Sequence, residues 1–579
     1  MKTTLRVSVN NDDALLVWTA DVLDPNLRGF AVQRHRKESA HGHVAESWLD
    51  NYAPPGIRGH QKGTHQPSDK WPFRAFSWTD HGVGEGDHVQ YRVVPVLDGA
   101  HEPSEALASD WSEWRELGYP DGAAYRGYFN RGFVISQFMS RYLDEHFPAA
   151  KDRVDALKQF KQQISGNVED RIRGFLSGDV RTRLLALLDE IEGGTGEVHA
   201  ALFELGDDEL IARLVKLGPR AHVVLANGSI EAKDHEPTAE ARKRDENEDG
   251  RRTLLEHGVD VEETNRFVAP GSLAHNKFLV ETDAAGTPTR VWTGSTNWTT
   301  TGLCTQLNNA LLIADGGIAA AYLEQWKALR SAGSGHPGGL ADSNGTPTAV
   351  GGDHPGKRRA SAHFTRARQR VDLKALGDVV DGANEGVLFL MFIPGGSGVL
   401  GNVERLIAAR PDLVVRGVVS ELPHGRQDEK TGDTTTVRVH VVGGADGAIT
   451  KTVEVVQPEG KPHPAAFWAA ETTHDQFKQG IGWAIIHSKV LVVDPFSDDP
   501  TVVTGSHNFS ISASEDNDEN FVVVRGDAVL AEAYAVNVDS AWRHYASRIA
   551  SPHPDLVGHA YLDALLDDRK ADEAFWHLG

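Results

Sequence analysis

The feature that most constrains the fold is a pattern of polar residues that occurs twice within apolar segments. The first copy lies in "LAHNKFLVETDAAGTPTRVWTGSTNW" and the second in "IIHSKVLVVDPFSDDPTVVTGSHNFS". In each copy a histidine and a lysine stand two residues apart on a segment typical of a buried strand. Residues i and i+2 of a strand point to the same face, so each histidine is expected to project beside a lysine.

The two copies contain the same residue types in the same order. The first has His275, Lys277, Asp283, Gly294, Ser295 and Asn297, and the second has His487, Lys489, Asp494, Gly505, Ser506 and Asn508. Asp283 lies one place later than Asp494 relative to its lysine, and beyond the aspartates the copies run in step. A repeated five-part pattern is hard to obtain by chance, which favours a functional site over two structural histidines.

The repeat extends to the elements that precede each copy. A strand "VHAALFEL", a helix "DDELIARLVKLG" and a strand "AHVVLA" come before the first, and "GVLFLMFI", "GNVERLIAA" and "LVVRGVV" come before the second. Strands that alternate with helices indicate an α/β unit. We therefore predict a multidomain chain with two α/β halves, one over residues 176–332 and the other over residues 361–579.

The rest of the chain is predicted to have three further parts. Residues 1–118 alternate apolar and polar positions between turn residues, which favours an antiparallel β-sandwich. "WTADVLDPNLRGFAVQR" and "GDHVQYRVVPVL" resemble fibronectin type III domains, with Trp18 on an early strand and Tyr91 on a late one. Residues 119–175 are predicted to be a helical connector, and residues 333–360, rich in Gly, Ser and Pro, a flexible linker.

Two polar insertions interrupt the halves. "EAKDHEPTAEARKRDENEDGRR" is a mixed-charge run that we interpret as a solvated face. The insertion over about residues 421–478 contains "TTTVRVHVVGG" and "ITKTVEVV", which together predict a hairpin. Insertions of this kind can rim a site in an α/β domain.

Composition narrows the classes of function. The formal charge of −23 disfavours non-specific nucleic-acid binding, although one basic cleft can lie on an acidic body. The single cysteine, Cys304, excludes an intrachain disulfide and a zinc site built from thiolates. The N-terminus lacks the apolar region of a signal peptide, and apolar runs are too short to span a membrane. We therefore expect a soluble protein, cytoplasmic by default.

The duplicated H-x-K-x4-D motif followed by G-S-x-N resembles the phospholipase D superfamily, over about residues 175–550. The resemblance implies two α/β halves packed about a pseudo-twofold axis, with the active site between them and one motif from each half. It also implies a phosphodiesterase with a phosphohistidine intermediate. Lys277 and Lys489 would neutralise the non-bridging oxygens, and the amides of Asn297 and Asn508 would donate hydrogen bonds to them. We expect no cofactor or metal, because lysines supply the positive charge.

Two further residues bear on which histidine is the nucleophile and which is the proton donor. Glu519 and Asn308 occupy matching positions just before an apolar strand, and in this family an acid or amide there orients the catalytic imidazole. We expect Glu519 to lie next to His487 and Asn308 next to His275. A neighbouring carboxylate favours the protonated imidazole, so His487 is predicted to be the proton donor and His275 the nucleophile.

The remaining motif residues are predicted to support the site. Asp283 and Asp494 lie at strand ends before turns, where aspartate is common, so a structural role is favoured over catalysis. Ser295 and Ser506 are expected to fix their loops or to bind phosphate indirectly. Neither serine lies in the G-x-S-x-G elbow of a serine hydrolase.

The substrate class stays open at this level. The favoured function is a phospholipase D-type hydrolase that converts phosphatidylcholine to phosphatidate and alcohol. It would act as a monomer that contacts a membrane surface without a transmembrane segment. The alternatives are an endonuclease acting on DNA or RNA and a non-catalytic binding or adhesion protein. Transphosphatidylation in place of hydrolysis is also left open.

Overall fold

The computed structural model describes most of the chain. It leaves out residues 52–64, 100–101, 133–136, 230–244, 263–265, 267, 269–271, 352–355, 395–397, 411, 421–453, 457–478, 482–485, 550–558, 569 and 579. The described part is a multidomain α/β structure with a strand-rich N-terminal region and two large mixed sheets.

The N-terminal region contains nine short strands. They are β1 (Thr3–Val9), β2 (Ala14–Ala20), β3 (Leu27–Lys37), β4 (Ala45–Trp48), β5 (Asp50–Asn51), β6 (Gln66–Pro67), β7 (Ser77–Asp80), β8 (His88–Leu97) and β9 (Arg115–Glu116). A three-stranded sheet has the order β1-β2-β7 and a four-stranded sheet the order β4-β3-β8-β9, all antiparallel. One apolar core joins them, with Leu16 and Trp18 from the first sheet and Val32, Tyr91 and Val93 from the second.

The first large sheet has seven strands among the described residues. They are β10 (Tyr125–Phe129), β11 (Glu197–Leu202), β12 (Ala221–Leu225), β13 (Asp260–Val261), β14 (Lys277–Thr282), β15 (Pro288–Gly294) and β16 (Asn309–Ile313), in the order β10-β16-β15-β14-β11-β12-β13. Its helices are α1 (Gln137–His146), α2 (Arg153–Gly166), α3 (Arg171–Gly193), α4 (Asp208–Leu217), α5 (Glu248–Glu256), α6 (Thr300–Cys304) and α7 (Gly316–Ala332).

The second large sheet has eight strands among the described residues. They are β17 (Thr348–Val350), β18 (Arg359–Phe364), β19 (Gly386–Met391), β20 (Val414–Val419), β21 (Glu454–Val456), β22 (Val490–Val493), β23 (Thr501–Gly505) and β24 (Asn520–Arg525), in the order β17-β18-β24-β23-β22-β19-β20-β21. Its helices are α8 (Gly338–Ser343), α9 (Val371–Asp381), α10 (Val399–Ala409), α11 (Ile511–Glu515), α12 (Ala528–Ile549), α13 (His559–Asp568) and α14 (Lys570–Phe575).

The local sequence explains the crossover units at the centre of each large sheet. Strand β11 pairs in parallel with β12, and helix α4 connects them, as a parallel pair requires. Helix α4 begins at the N-cap Asp207, ends at Gly218, and buries Leu210, Leu214 and Leu217 at helical spacing. In the other large sheet β19 and β20 pair in parallel through α10, and both strands are fully buried. This places their continuous apolar runs inside the protein.

The two large sheets share an apolar core. That core includes Trp292 and Tyr322 from the first sheet and its helix, and Val502 and Tyr534 from the second. Helix α13 adds Leu562 to the core of the N-terminal strands, and α12 contacts β1 and β2. The N-terminal region and the C-terminal helices therefore pack together.

Two predicted boundaries differ from the structure. Residues 119–175, expected to be a helical connector, include the strand β10, which pairs with β16 as an edge of the first large sheet. Residues 333–360, expected to be a flexible linker, include α8 and β17, and β17 pairs with β18 at the edge of the second large sheet. Strand β10 gains its partner from β16, far along the chain, whereas β17 gains its partner from the next strand, β18; local composition does not reveal either pairing.

Much of the insertion over residues 421–478 lies outside the described residues, and so does the predicted hairpin, apart from β21. That strand pairs in parallel with β20. The mixed-charge run is described from residue 245 onwards, where it leads into helix α5. Within the described residues, the helices are too short or too polar to cross a membrane.

Candidate active site

The two H-x-K segments meet at the junction of the large sheets. The ring centroids of His275 and His487 are 6.4 Å apart, and the ring planes lie at 72°. Both side chains are almost fully buried. The structure thus brings together two histidines that are more than 200 residues apart in sequence.

Each histidine segment is bound by backbone to the other half. The amide of His275 donates to the carbonyl of Asp518 at 2.9 Å, and the amide of His487 donates to the carbonyl of Leu307 at 2.9 Å. The strands β14 and β22 begin only at Lys277 and Val490, so both histidines precede the strands on which the sequence placed them. The exchanged backbone bonds fix the distance between the two rings.

The predicted partners of the two histidines were wrong. Nδ1 of His275 lies 2.8 Å from Oε2 of Glu519, and Nδ1 of His487 lies 3.0 Å from Oδ1 of Asn308. Each ring is therefore oriented by a residue of the opposite half. The reason is packing, because each segment just before β16 or β24 runs along the histidine segment of the other half.

The hydrogen-bond network defines the tautomer of His487. Nδ2 of Asn308 donates to the carbonyl of Gly302 at 2.8 Å, and Oδ1 accepts from Oγ of Ser295 at 2.7 Å. The amide oxygen therefore faces His487, whose Nδ1 must carry the proton. Glu519 likewise accepts from Nδ1 of His275. In both rings Nε2 is the nitrogen left for chemistry.

Burial keeps both imidazoles neutral in the free protein. It lowers the pKa of His275 to about 4, even though Glu519 raises it. Burial, together with the charges of Lys489 and Lys277, lowers the pKa of His487 well below its ordinary range. Burial alone would raise the pKa of Glu519, but its interaction with His275, including their hydrogen bond, and the nearby Lys277 hold it below its ordinary value.

The two lysines are fully enclosed in the same site. Nζ of Lys277 donates to the carbonyl of His275 at 2.7 Å, and Nζ of Lys489 donates to the carbonyl of His487 at 2.5 Å. Burial lowers the pKa of Lys277 to about 7, against the opposing charges of Glu519 and Glu204. Burial and the charge of Lys277 lower the pKa of Lys489 well below its ordinary value.

Three residues of the site were missed by the sequence analysis. Phe203 lies 4.7 Å from the His275 ring, and Phe392 lies 5.4 Å from the His487 ring. Nζ of each neighbouring lysine also lies over one of these rings. Both phenylalanines directly follow the first strand of their α/β unit, so the repeat was the signal that could have found them. Glu204, next to Phe203, has no acidic counterpart beside Phe392.

The two motif asparagines lie in different surroundings. Nδ2 of Asn297 donates to Oε2 of Glu204 at 2.7 Å, and burial raises the pKa of that carboxyl more than Lys277 lowers it. Oδ1 of Asn297 and Oδ1 of Asn508 are both buried without a hydrogen-bond partner in the described part of the chain. In this state the amide nitrogen of Asn297 is therefore bonded to a protein carboxyl.

The Gly-Ser pairs hold the loops against the neighbouring strands. A Cβ on Gly294 would lie 2.4 Å from the carbonyl oxygen of Asn309, and one on Gly505 would lie 2.2 Å from that of Asn520. Oγ of Ser295 donates to the side chain of Asn308, whereas Oγ of Ser506 accepts from the backbone amide of Asn520 at 3.0 Å. These contacts fix the two loops that carry the motif asparagines.

The two motif aspartates lie outside the cluster of histidines. Asp283 is exposed and accepts from the backbone amides of Ala285 and Thr287 in its own turn. Asp494 is buried and accepts from the backbone amides of residues 384, 385 and 386 at 2.8 to 2.9 Å. Both carboxylates thus bind backbone, and only Asp494 joins separate segments.

The chain was compared with known proteins. Residues 436–542 match the family described as cardiolipin synthase, PLD-like domain. A comparison with curated proteins found no match. The family match covers the second copy of the motif and supports the resemblance to the phospholipase D superfamily.

Solved structures also resemble the chain. Polyphosphate kinase from Porphyromonas gingivalis has 12% identity and a TM-score of 0.39, over 67% of this chain and 51% of that one. Phosphatidylserine synthase from Haemophilus influenzae has 13% identity and a TM-score of 0.38, over 72% and 92%. Nuc from Salmonella typhimurium, a phospholipase D family member, has 18% identity and a TM-score of 0.21, over 33% and 95%. This chain thus spans about half the length of the kinase.

Proposed function

We propose that this protein is a phosphodiesterase of the phospholipase D type, and that its substrate is a phospholipid. The observation that carries the proposal is the pair of buried imidazoles, 6.4 Å apart, each held through Nδ1 by a side chain of the opposite half. The proposal places one tetrahedral phosphoryl group between these two imidazoles.

The electrostatics of the site support an anionic ligand. Lys277 and Lys489 are buried together, and burial lowers the pKa of both; the charge of Lys277 lowers the pKa of Lys489 further. A phosphodiester would bring negative charge to this position and favour the protonated forms of both lysines. The same charge would raise the pKa of His487. The free site is therefore short of negative charge, which the substrate would supply.

The proposed reaction has two steps. Nε2 of His275 attacks phosphorus, a P–N bond forms, and the bond to the leaving alcohol oxygen breaks as His487 gives that oxygen a proton. Water then attacks phosphorus, gives a proton to His487, and the P–N bond breaks to release the phosphomonoester and neutral His275. The lysines would stabilise the charge on the non-bridging oxygens in both steps.

Glu519 is the partner of His275 and not of His487, so the earlier reason for the two roles no longer holds. We still propose His275 as the nucleophile and His487 as the proton donor, for a different reason. Attack by Nε2 makes the His275 ring cationic, because Nδ1 keeps its proton. The carboxylate of Glu519 at 2.8 Å would stabilise that charge in the intermediate. The neutral amide at His487 gives no such support, so the protonated ring there would be the stronger acid toward a leaving alkoxide.

A phospholipid is favoured over a nucleic acid by three observations. The description of the family that matches residues 436–542 names a lipid-synthesising enzyme, cardiolipin synthase. The formal charge of −23 works against the phosphate contacts on which nucleic-acid binding depends. Phe203 and Phe392 add apolar surface beside the histidines.

We further propose that the two α/β halves are related by a pseudo-twofold axis and that the N-terminal strands form a fibronectin type III-like sandwich. Support for the first comes from contacts made in both directions: Asn309 donates to Thr504 and Tyr534, whereas Asn520 accepts from Thr293 and Tyr322. Support for the second comes from the three- and four-stranded sheets around one core.

The substrate is tested by a turnover assay with a chelator present. Purified full-length protein is given phosphatidylcholine vesicles and, separately, single- and double-stranded DNA and RNA. We expect choline release that is lost in His275→Gln and retained in Asp283→Asn, whose carboxylate lies in an exposed turn. Cleavage of a nucleic acid that depends on His275 would refute the lipid assignment. Absence of turnover on both classes would refute the proposed activity on these substrates.

The roles of the histidines are tested by trapping. A diester with a nitrophenol leaving group needs little protonation, so His487→Gln is expected to form the phosphohistidine and to hydrolyse it slowly. Acid-labile phosphate should then be found on the peptide that contains His275 by mass spectrometry. Phosphate on His487 in the His275→Gln variant would reverse the assignment.

A further inference from the structure

A second group of metal-binding side chains lies in the first large sheet, away from the two catalytic histidines. Glu197 and His199 stand two residues apart on β11 and share a face of the sheet. His222 on β12 is directly opposite His199, and Asp260 on β13 is directly opposite His222. Three adjacent strands thus present four side chains side by side.

The distances between these side chains suit one metal ion. Oε2 of Glu197 lies 3.8 Å from Nε2 of His199 and 3.5 Å from Nε2 of His222. The ligand atoms of the three residues all lie within 4.8 Å of one another. A tetrahedral zinc ion with bonds of about 2.0–2.2 Å separates its ligands by about 3.4 Å, so small side-chain movements would complete the site.

The hydrogen bonds around His222 prepare it as a ligand. Nδ1 of His222 lies 2.6 Å from Oδ2 of Asp260, and Arg330 holds both oxygens of that carboxylate at 2.7 and 2.8 Å. This arrangement places the proton on Nδ1 and the lone pair on Nε2. Metal-binding histidines commonly donate their other N–H to a carboxylate in this way.

Both rings also have an unsatisfied nitrogen. Nε2 of His222 and Nδ1 of His199 are buried and have no hydrogen-bond partner among the residues described; the first of these is the His222 nitrogen that lies 3.5 Å from Glu197. A buried polar atom without a partner is costly, and in a native protein it needs an explanation such as a bound ion. The two rings are stacked at 4.7 Å and meet the edge of Trp326, whose Nε1 donates to the carbonyl of Ala200.

We propose that Glu197, His199 and His222 bind one divalent transition-metal ion, best matched by Zn²⁺. Two imidazoles and one carboxylate are a donor set typical of zinc, and soft thiolates are absent from the group. The fourth position would be open to water, because Glu197 is 44% exposed at the rim. Arg330 offsets the charge of Asp260, and Lys327 is paired with Glu324 at 2.8 Å.

The site is separate from the proposed active site. On β11, His199 pairs with Val280 of β14, whereas Leu202 pairs with Lys277. His199 thus lies three residues from Leu202, the residue opposite Lys277, which is about 10 Å along β11. The metal would join β11 and β12 and, through Asp260, β13. Its role would be to brace this edge of the sheet, and it does not depend on the proposed phosphodiesterase activity.

The test is metal binding by the full chain after chelator treatment and dialysis. Titration with Zn²⁺ alone in a calorimeter should show one ion per chain, and Co²⁺ should give the visible absorption of a four-coordinate site. His199→Gln and His222→Gln should each weaken Zn²⁺ binding by about 100-fold or more. Asp260→Asn, which changes only the partner of a ligand, should weaken it by about 10- to 100-fold.

Two control variants make the result specific. His88→Gln removes a histidine that lies 4.0 Å from one carboxylate, Glu116, on an N-terminal strand, and should bind Zn²⁺ as the wild type does. His275→Gln should also bind normally, with circular dichroism used to show that every variant is folded. Equal binding by His199→Gln and the wild type, loss of binding in His275→Gln, or no uptake of Zn²⁺ by the wild type would overturn the proposal.

Discussion

The affinity of the site for a phosphate-like anion should depend strongly on pH because of Lys277. We consider sulfate, an oxyanion whose own charge does not change near neutral pH. Burial lowers the pKa of Lys277 to about 7 in the free protein. A negative charge about 4 Å away stabilises the ammonium by about 4 kcal/mol at an effective dielectric constant of about 20. The pKa would therefore rise by about 3 units in the complex.

The sign of the effect follows from these two states. The complex holds the Lys277 proton across the neutral range, whereas the free protein loses it as the pH rises through about 7. From that pKa, Lys277 is about nine-tenths protonated at about pH 6 and about one-tenth protonated at about pH 8. The affinity should thus fall at least about tenfold over that interval. Lys489, whose pKa burial also lowers, adds to the same slope.

Calorimetry with sulfate at several pH values measures this effect. Buffers with different ionisation enthalpies report how many protons are taken up on binding. Lys277→Arg is the matched control, because a guanidinium stays charged throughout this range, so the slope of log Kd against pH should decrease by about one proton. A wild-type Kd that is unchanged between about pH 6 and pH 8, or an equal slope in Lys277→Arg, would refute the reasoning.

Three further predictions concern stability. Asp494→Ala should lower the free energy of unfolding by about 2–3 kcal/mol, because three backbone amides lose their acceptor. Asp283→Ala, in an exposed turn, should change it by less than about 0.5 kcal/mol. Equal losses for the two variants in denaturant titrations would contradict this. Gly505→Ala should lower the free energy of unfolding by more than about 2 kcal/mol, since the added Cβ would lie 2.2 Å from a backbone oxygen. Gly84→Ala, with open space around the added Cβ, is the control. A Tm like that of the control would show that the loop adapts. Asn520→Ala removes the acceptor of two buried hydroxyls of the other half and should lower the Tm, with about 1–3 kcal/mol lost for each hydroxyl left unsatisfied; an unchanged Tm would argue against a tight junction.

The sequence by itself determined the elements and the chemical groups of this protein. Apolar runs such as "GVLFLM" and "VVRGVV" form buried strands because their periodicity and length leave few other solutions. The repeated histidine, lysine and Gly-Ser-x-Asn residues could be recognised as one site because the pattern occurs twice. These features depend on residues that are close together in the chain.

The tertiary structure decided which groups touch. Glu519 contacts His275 across 244 residues, and Asn308 contacts His487 across 179 residues, the reverse of the pairing read along the sequence. The cluster around His222 likewise depends on which strands become neighbours. Such contacts follow from how whole sheets pack and pair, and residues near each other in the chain carry no signal of them.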